Sequence, residues 1–307
     1  CIKEINNQSL LLPIRRGEII IKGIGGFYYI STENGVYECR ARGKFRKEGI
    51  KPTVGDIVNI SVLDEKNKKG SLDVIEPRRN CLIRPRAANI DQAVIVFASV
   101  SPDFNEDIMD RFIVLAEQQK LDIVICINKT DIDSEEKYKK ICDIYSKAGF
   151  EVIPVSAAEK RGREELYNKL KGKISVLAGP SGVGKSSILN MISPEAGAKV
   201  GEISKKIERG KHTTRQSELI ELEPGTYIVD SPGFTSLDMR GIEPEDLQYY
   251  FREFEPYLDD CRYAGCKHLN ESPDYCGIKA QLGINISEER YARYRDIYNE
   301  ILEERKR

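Results

Sequence analysis

The residues whose types and spacing point most directly to chemistry form a glycine-rich run near the middle of the chain. It follows an apolar segment at 174–178 and precedes another at 188–192, which predicts a strand, a turn and a helix. In such a turn, backbone N–H groups and the helix N-terminus surround a polyphosphate. Lys185 is predicted to reach the outer phosphates as a catalytic residue, and the Ser186 hydroxyl to bind Mg²⁺. The predicted phosphate-binding loop comprises Gly179, Pro180, Ser181, Gly182, Val183, Gly184, Lys185, Ser186 and Ser187.

Two later segments carry residue types that suit Mg²⁺ and the γ-phosphate of a bound nucleotide. A threonine in a mobile loop commonly senses both groups, and the sequence does not choose between Thr213 and Thr214. Asp230 follows a predicted strand at 226–229 and suits the Mg²⁺ site. The backbone N–H of Gly233 suits the γ-phosphate.

A base-recognition motif precedes the phosphate-binding loop. Asn128, Lys129, Thr130 and Asp131 begin where a predicted strand at 122–127 ends. An aspartate held there can accept hydrogen bonds from the N1–H and the exocyclic amine of guanine, a donor pair that adenine lacks. We predict that Asp131 reads the base, that Asn128 braces the loop and that the Lys129 stem covers the ring.

A third predicted strand, at 151–155, leads into Ser156 and Ala157. We predict that these residues complete the guanine site and that the Ala157 N–H donates to guanine O6. Ligands of parallel sheets bind at the carboxyl ends of the strands. All these motifs are therefore expected at one edge of one sheet.

The motifs together are the five signature elements of a GTPase, in an unusual order. The base-recognition pair precedes the phosphate-binding loop instead of following it. The same sheet accommodates that order, because domain termini usually lie close together and a join there, with a cut elsewhere, preserves the packing. We therefore predict a circularly permuted GTPase domain whose cut falls just after residue 233.

A second group of ligand-type residues lies near the C-terminus. Cys261, Cys266, His268 and Cys276 fall close together, and His268 is one of only 2 histidines. Three thiolates and one imidazole are the ligands of a closed, tetrahedral structural zinc site. Because such a site has no open position, we predict that one Zn²⁺ per chain stabilises the fold without catalysing a reaction.

The N-terminal part of the chain is predicted to form a small β-barrel. Short strands at 17–22, 27–31, 36–40, 56–63 and 71–75 alternate with turns, which makes the OB-fold the first candidate. Two interpretations of a basic loop around Phe45 stay open, a solvated loop or a phosphate-backbone surface with one stacking ring. The basic residues of this loop are Arg40, Arg42, Lys44, Arg46, Lys47 and Lys51.

The rest of the chain is predicted to be α/β and then helical. Predicted strands at 93–100, 122–127, 151–155 and 174–178 alternate with helices at 106–120, 134–148 and 163–171, followed by a hairpin at 217–222 and 226–229. This alternation predicts a parallel sheet covered on both faces. A terminal helix at 287–307 carries Tyr291, Tyr294 and Tyr298 among basic residues. It is either a solvated helix with a tyrosine seam or, as we favour beside a zinc module and a barrel, a contact with RNA.

The overall composition limits the class of protein. A chain of 307 residues can form two or three domains, and its net charge of -1 confines any nucleic-acid contact to local patches. The longest apolar run, at 93–100, is too short to span a bilayer, and the N-terminus shows no signal-peptide pattern. We expect a soluble, cytoplasmic protein with reduced cysteines.

With these motifs in this order, nearly the whole chain resembles the circularly permuted bacterial ribosome-assembly GTPases of the RsgA or YjeQ family. The resemblance implies an OB-fold barrel at 1–80, a permuted GTPase domain at 81–236 and a helical zinc-binding domain at 237–307. It also implies GTP hydrolysis stimulated by the small (30S) ribosomal subunit, late in the maturation of that subunit. We expect GTP, GDP and rRNA as partners of a monomer without membrane contact. In the family, five residues usually separate the zinc-binding His from the last Cys, whereas seven do here.

The chain lacks the usual residue that positions the attacking water in GTPases. Many GTPases place a Gln beside the glycine that contacts the γ-phosphate, but this chain has Phe234 there. We therefore predict slow hydrolysis until a partner completes the site. His212 is the candidate for orienting water, which the resemblance also implies, and a solvent-facing loop histidine is the alternative. A nucleotide-gated RNA-binding scaffold with incidental hydrolysis is the rival function.

Overall fold

The computed structural model of the chain describes residues 18–82, 85–195, 197, 217–230, 239 and 241–305. The N-terminal strands close into a five-stranded barrel in the order β1-β2-β3-β5-β4, which confirms the predicted barrel. These elements are β1 (Glu18–Ile24), β2 (Phe27–Thr32), β3 (Gly35–Ala41), α1 (Gly43–Lys47), β4 (Ile57–Asp64) and β5 (Lys69–Ile75).

The aromatic ring in the basic loop belongs to the barrel core. Phe45 lies on α1 and is only 4% exposed, because it packs with Ile20, Ile30 and Leu72 inside the barrel. The interpretation of Phe45 as a stacking ring for RNA is therefore wrong. The basic residues around it are exposed, although Arg42 forms an ion pair with Asp73 at 2.7 Å.

A six-stranded sheet forms the middle of the molecule, in the order β10-β9-β8-β11-β13-β12. Its strands run parallel except for β12, which pairs antiparallel with β13. A short hairpin of β6 (Cys81–Leu82) and β7 (Ala87–Ala88), which the sequence pattern did not predict, leads into the sheet. The strands are β8 (Gln92–Ala98), β9 (Asp122–Asn128), β10 (Glu151–Pro154), β11 (Ile174–Ala178), β12 (Glu218–Glu223) and β13 (Thr226–Asp230).

Helices cover both faces of this sheet, as the alternating pattern predicted. On β8, Ala93, Ile95 and Phe97 pack on the side of α2 and α3, whereas the residues between them pack on the side of α4 and α5. The strand is therefore buried on both faces, which explains its uninterrupted apolar sequence. The helices are α2 (Glu106–Gln118), α3 (Lys137–Lys147), α4 (Arg163–Leu170) and α5 (Lys185–Ile192).

The C-terminal part consists of short helical segments packed against a long last helix. Two 3₁₀ segments (Pro244–Tyr250 and Arg252–Tyr257) precede α6 (Gly277–Ala280) and α7 (Glu288–Glu304). Among the residues described above, no helix combines the length and the hydropathy needed to cross a membrane.

The tyrosines of α7 are core residues. Tyr291, Tyr294 and Tyr298 are 7%, 1% and 1% exposed, and they pack with the aromatic residues Phe251 and Phe254 of the 3₁₀ region. These tyrosines are therefore not available to contact RNA, and the predicted contact of the basic terminal helix with RNA stays a prediction. Their spacing marks the apolar stripe by which α7 holds the C-terminal part together.

A buried ion cluster joins α7 to α2 of the sheet domain. The Arg290 guanidinium is 2% exposed and donates to Asp110 of α2 and, at 2.6 and 3.0 Å, to both carboxylate oxygens of Glu253. At the rim of the same interface, Arg111 pairs with Glu300. The C-terminal part is thus fixed to the sheet domain by the ion pair of Arg290 with Asp110, which lies 180 residues earlier in the sequence.

Candidate nucleotide and metal sites

The predicted nucleotide motifs converge at one edge of the sheet. Strands β8, β9, β10, β11 and β13 are parallel, so their carboxyl ends share that edge. The loops that leave these ends carry the base-recognition motif after β9, the Ser-Ala pair after β10 and the phosphate-binding loop after β11. The permuted order of the motifs is therefore compatible with a single site.

Glycine is required at two positions of the phosphate-binding loop. Gly179 has φ +134°, and a Cβ there would overlap the backbone carbonyl of Val96. Gly184 has φ +96° and precedes α5, and a Cβ there would overlap the Asn128 side chain. These positions bring the loop backbone close to β8 and to the base-recognition motif.

Lys185 begins α5 and folds back over the loop. Its Nζ donates to the carbonyls of Gly179 at 2.8 Å and Pro180 at 2.7 Å. Burial lowers the pKa of its ammonium group. Ser181, Ser186 and Ser187 are exposed on this loop and the start of the helix, where a polyphosphate can reach them.

Asn128 connects the three loops. It is 2% exposed, its Nδ2 donates to the Val183 carbonyl at 2.9 Å, and its Oδ1 accepts from the Ala157 N–H at 3.1 Å. One neutral side chain thus joins the base-recognition motif to the phosphate-binding loop and to the Ser-Ala pair. These hydrogen bonds support the predicted role of Asn128 in bracing the loop, which stays a prediction.

The other residues of the base-recognition edge surround this connection. Lys129 Nζ donates to the Gly182 carbonyl at 2.8 Å and also to the Ser101 carbonyl. Asp131 is half-buried. Ser156 Oγ accepts from the Glu159 N–H at 3.1 Å and so stabilises its own loop. Because the Ala157 N–H donates to Asn128, a guanine O6 would have to share or replace that hydrogen bond.

Most residues predicted to contact Mg²⁺ and the γ-phosphate lie in the sequence just before β12, or at and after the end of β13. The backbone of Asp230 ends β13 and pairs with Glu218 of β12. His212, Thr213, Thr214 and Gly233 lie outside the described residues, and so does the side chain of Asp230. Their roles remain predictions.

The four predicted metal ligands form one compact group in the C-terminal part. The donor atoms of Cys261, Cys266, His268 and Cys276 all lie within 4.8 Å of one another. His268 Nδ1 is 3.6 Å from Cys261 Sγ and 3.4 Å from Cys276 Sγ. Tetrahedral zinc with ordinary Zn–S and Zn–N bonds places such atoms about 3.6 Å apart. Cys276 therefore belongs to the cluster despite the longer gap before it.

The surroundings of the cluster suit a structural metal. Burial raises the pKa of the Cys266 thiol to about 12 and lowers the pKa of the His268 imidazole. The hydroxyls of Tyr291 and Tyr294 on α7 donate to the carbonyls of His268, at 2.6 Å, and Lys267, at 3.0 Å. A cation that binds thiolates would therefore stabilise both the loop and its contact with α7.

Several acceptors at the nucleotide edge had no sequence signal. The carbonyls of Ser101, Gly182 and Val183 hold Lys129 and Asn128, but any residue type supplies a carbonyl. Only the fold determines which carbonyls come within reach. The side-chain motif could therefore be read in advance, whereas its supporting contacts could not.

Comparisons with known proteins agree with this geometry. A family model described as RsgA GTPase matches residues 75–240, and one described as RsgA N-terminal domain matches residues 17–71. The small ribosomal subunit biogenesis GTPase RsgA of Alkaliphilus metalliredigens (strain QYMF) is 47% identical over 288 residues, which cover 94% of this chain and 98% of that protein. The protein of the same name from Caldanaerobacter subterraneus subsp. tengcongensis is 46% identical over 288 residues, with 94% and 96% covered.

Solved structures give the same result over the whole fold. The crystal structure of YjeQ from Thermotoga maritima superposes with a TM-score of 0.81 at 36% identity, covering 94% of this chain and 98% of that one. The structure of YloQ, described as a circularly permuted GTPase, superposes with a TM-score of 0.79 at 34% identity, covering 97% and 99%. The chain therefore belongs to the RsgA family of circularly permuted GTPases.

Proposed function

We propose that this chain hydrolyses GTP to GDP and phosphate under stimulation by the small (30S) ribosomal subunit, late in the maturation of that subunit. The observation that carries the proposal is the position of Asn128, which joins the base-recognition motif to the phosphate-binding loop through the Val183 carbonyl. A guanine base and its phosphates can therefore be bound together. The names of the relatives from Alkaliphilus and Caldanaerobacter support the role in small-subunit biogenesis.

Within this site, we assign guanine recognition to Asp131, with the Lys129 stem covering the base. Lys185 contacts the outer phosphates once a nucleotide draws its Nζ away from the loop carbonyls. Mg²⁺ is held by Ser186 together with Asp230 and either Thr213 or Thr214. A bound Mg²⁺ ion neutralises charge that develops on the phosphates during transfer.

For the C-terminal cluster, we propose that the metal is Zn²⁺. Three thiols and an imidazole match its preferred ligands, and the complete ligand set gives the ion a structural role. We propose that the barrel at 1–80 contacts rRNA through its exposed basic loop, beside the GTPase domain at 81–236 and the zinc-binding domain at 237–307. The protein acts in the cytoplasm as a monomer in this proposal.

The decisive experiment measures multiple-turnover phosphate release by the purified protein during titrations with small and with large ribosomal subunits. Stimulation by small subunits alone is the expected result, and the basal rate should be slow because Phe234 cannot position water. An equal response to both subunits would contradict the proposal. Subunit binding that depends on GTP without faster turnover would favour the RNA-binding scaffold instead.

Two substitutions test individual roles within the proposed site. Asp131→Asn should shift the preference from guanine to xanthine nucleotides, because the substituted amide donates where the carboxylate accepted; unchanged preference for GTP would exclude the role of Asp131. His212→Ala should abolish the stimulated rate while nucleotide affinity is retained. Full stimulated turnover by the His212→Ala protein would exclude water orientation by His212.

A further inference from the structure

The imidazole ring of His268 has a different partner on each nitrogen. Its Nδ1 faces Cys261 and Cys276, whereas its Nε2 lies 2.8 Å from Oε1 of Gln248 in the first 3₁₀ segment. The ring is 1% exposed and packs against the rings of Phe254 and Tyr294. Because water does not reach the ring, the Gln248 amide determines the hydrogen-bonding state of Nε2.

The orientation of the Gln248 amide is itself fixed by a second hydrogen bond. Its Nε2 donates to the backbone carbonyl of Glu245 at 2.9 Å, so its Oε1 is the atom that faces His268. An amide oxygen can only accept. The imidazole Nε2 must therefore carry the proton, which leaves the lone pair of Nδ1 directed at the thiols.

We infer that Gln248 is a positioning residue that selects the metal-binding tautomer of His268. This inference rests on the proposed zinc site, since the selected tautomer matters only if Nδ1 binds a metal. A neutral imidazole protonated on Nδ1 cannot be a ligand through that atom. A hydrogen bond on the distal nitrogen also fixes the plane of the ring and increases the basicity of the ligating nitrogen.

The same hydrogen bond ties the metal loop to the segment that leads into the C-terminal core. Gln248 lies three residues before Phe251, which packs against Phe254 and Tyr294. Contacts from the 3₁₀ segments and from α7 thus converge on the loop around His268, through Gln248 on one side and Tyr291 on the other. Gln248 therefore connects metal binding to the first 3₁₀ segment.

Zinc affinity of the full-length protein tests the inference. Zinc dissociation constants of wild-type, Gln248→Met and Gln248→Glu proteins are measured by competition with a chromophoric chelator. Removing a hydrogen bond of this kind weakens metal binding about 10–100-fold, and we expect that loss for Gln248→Met. Gln248→Glu should stay close to wild type, because a carboxylate still accepts from the imidazole Nε2–H.

The matched control is Gln118→Met. Gln118 of α2 donates to the Gly241 carbonyl at 2.7 Å, so it also holds the start of the C-terminal part, but without touching His268. Its zinc affinity should equal that of wild type. A loss in Gln118→Met as large as in Gln248→Met, or equal losses in Gln248→Met and Gln248→Glu, would show that Gln248 acts only through folding and would overturn the inference.

Magnetic resonance of the wild-type protein gives an independent readout. With ¹⁵N-labelled histidine and ¹¹³Cd in place of zinc, the chain yields signals from only 2 histidines. Coupling of cadmium to Nδ1 of His268, with a proton on Nε2, supports the inference, and coupling to Nε2 overturns it. A wild-type protein that binds neither zinc nor cadmium would overturn the zinc proposal and this inference, but leaves the proposed GTPase function standing.

Discussion

Two buried polar side chains, Asn128 at the nucleotide edge and Arg290 at the interface between α2 and α7, hold their regions together by different means. Both are 2% exposed. Asn128 is neutral and exchanges hydrogen bonds with backbone groups, whereas Arg290 is charged and needs the carboxylates of Asp110 and Glu253. Backbone partners make the contacts of Asn128 independent of the residue types that supply them, whereas Arg290 depends on the side chains of Asp110 and Glu253. Substitution of Arg290 and substitution of Asn128 should therefore lower the free energy of unfolding by different amounts.

The largest effect is expected from Arg290→Met. This change leaves two buried carboxylates without their counter-charge, which should lower the free energy of unfolding by about 3–5 kcal/mol. Urea unfolding followed by tyrosine fluorescence, which no tryptophan obscures, measures the loss. The triple variant R290M/D110N/E253Q carries no charge in the cluster and should recover most of the stability. A triple variant as unstable as Arg290→Met would contradict the charge-based explanation.

Asn128→Ala should have a smaller effect on folding. It leaves the Val183 carbonyl and the Ala157 N–H without their partner, at a cost of about 1–3 kcal/mol. The same change should weaken GTP binding, because the base and phosphate loops are no longer joined. Calorimetric titration with a non-hydrolysable GTP analogue measures this effect. Unchanged GTP affinity in Asn128→Ala would mean that the loops keep their positions without Asn128.

The pH dependence of stability should distinguish the two regions as well. Burial raises the pKa of Asp110 to about 6. The attraction of Arg290 opposes this rise, but the one guanidinium is shared between Asp110 and Glu253. The folded state thus binds this proton more tightly than the unfolded state. The resulting stabilisation is complete below the ordinary pKa of 3.8 and is lost as the pH rises through about 6.

Comparison of wild type with Asp110→Asn isolates this contribution. Between pH 7.5 and pH 5, the stability of wild type relative to Asp110→Asn should increase by about 1.4 kcal/mol, the equivalent of one pKa unit. Urea unfolding at both pH values measures the change. A stability of wild type relative to Asp110→Asn that stays constant, or that decreases between pH 7.5 and pH 5, would contradict the raised pKa.

The smallest effect is expected at a partly exposed ion pair. Lys22 of the barrel lies 2.7 Å from Glu218 of β12, and the two side chains are 34% and 29% exposed. Water and salt screen such a pair, so Lys22→Met should change the free energy of unfolding by less than about 1 kcal/mol. The same urea assay provides the test. A loss comparable with that of Arg290→Met would show that charge, and not burial, sets the cost.

The sequence was sufficient where function requires a local pattern. The glycine-rich loop and the strands β8, β9 and β11 follow from short motifs and apolar runs, because the residues that define them are neighbours in the chain. Cys276 could also be predicted, since three clustered cysteines and a histidine match the ligands of a structural zinc site.

The sequence was insufficient where a pattern suits two surroundings. The spacing of Tyr291, Tyr294 and Tyr298 fits one stripe of a helix whether that stripe faces solvent, RNA or a protein core. Phe45 among basic residues was equally ambiguous. Only the partners, Phe251 and Phe254 for the tyrosines and the barrel core for Phe45, decide between these environments. The ion cluster around Arg290 had no local pattern at all.

The open end of the hairpin of β12 and β13 lies beside a contact with the barrel. Glu218 at its start lies opposite Asp230 at its end, so the chain enters and leaves the hairpin at one place. In the sequence, the two segments predicted to sense the γ-phosphate directly precede and follow this hairpin. Lys22 attaches the barrel at the same point through Glu218. The predicted γ-phosphate segments and the barrel are therefore connected to the same end of the hairpin, the segments through the chain and the barrel through one ion pair.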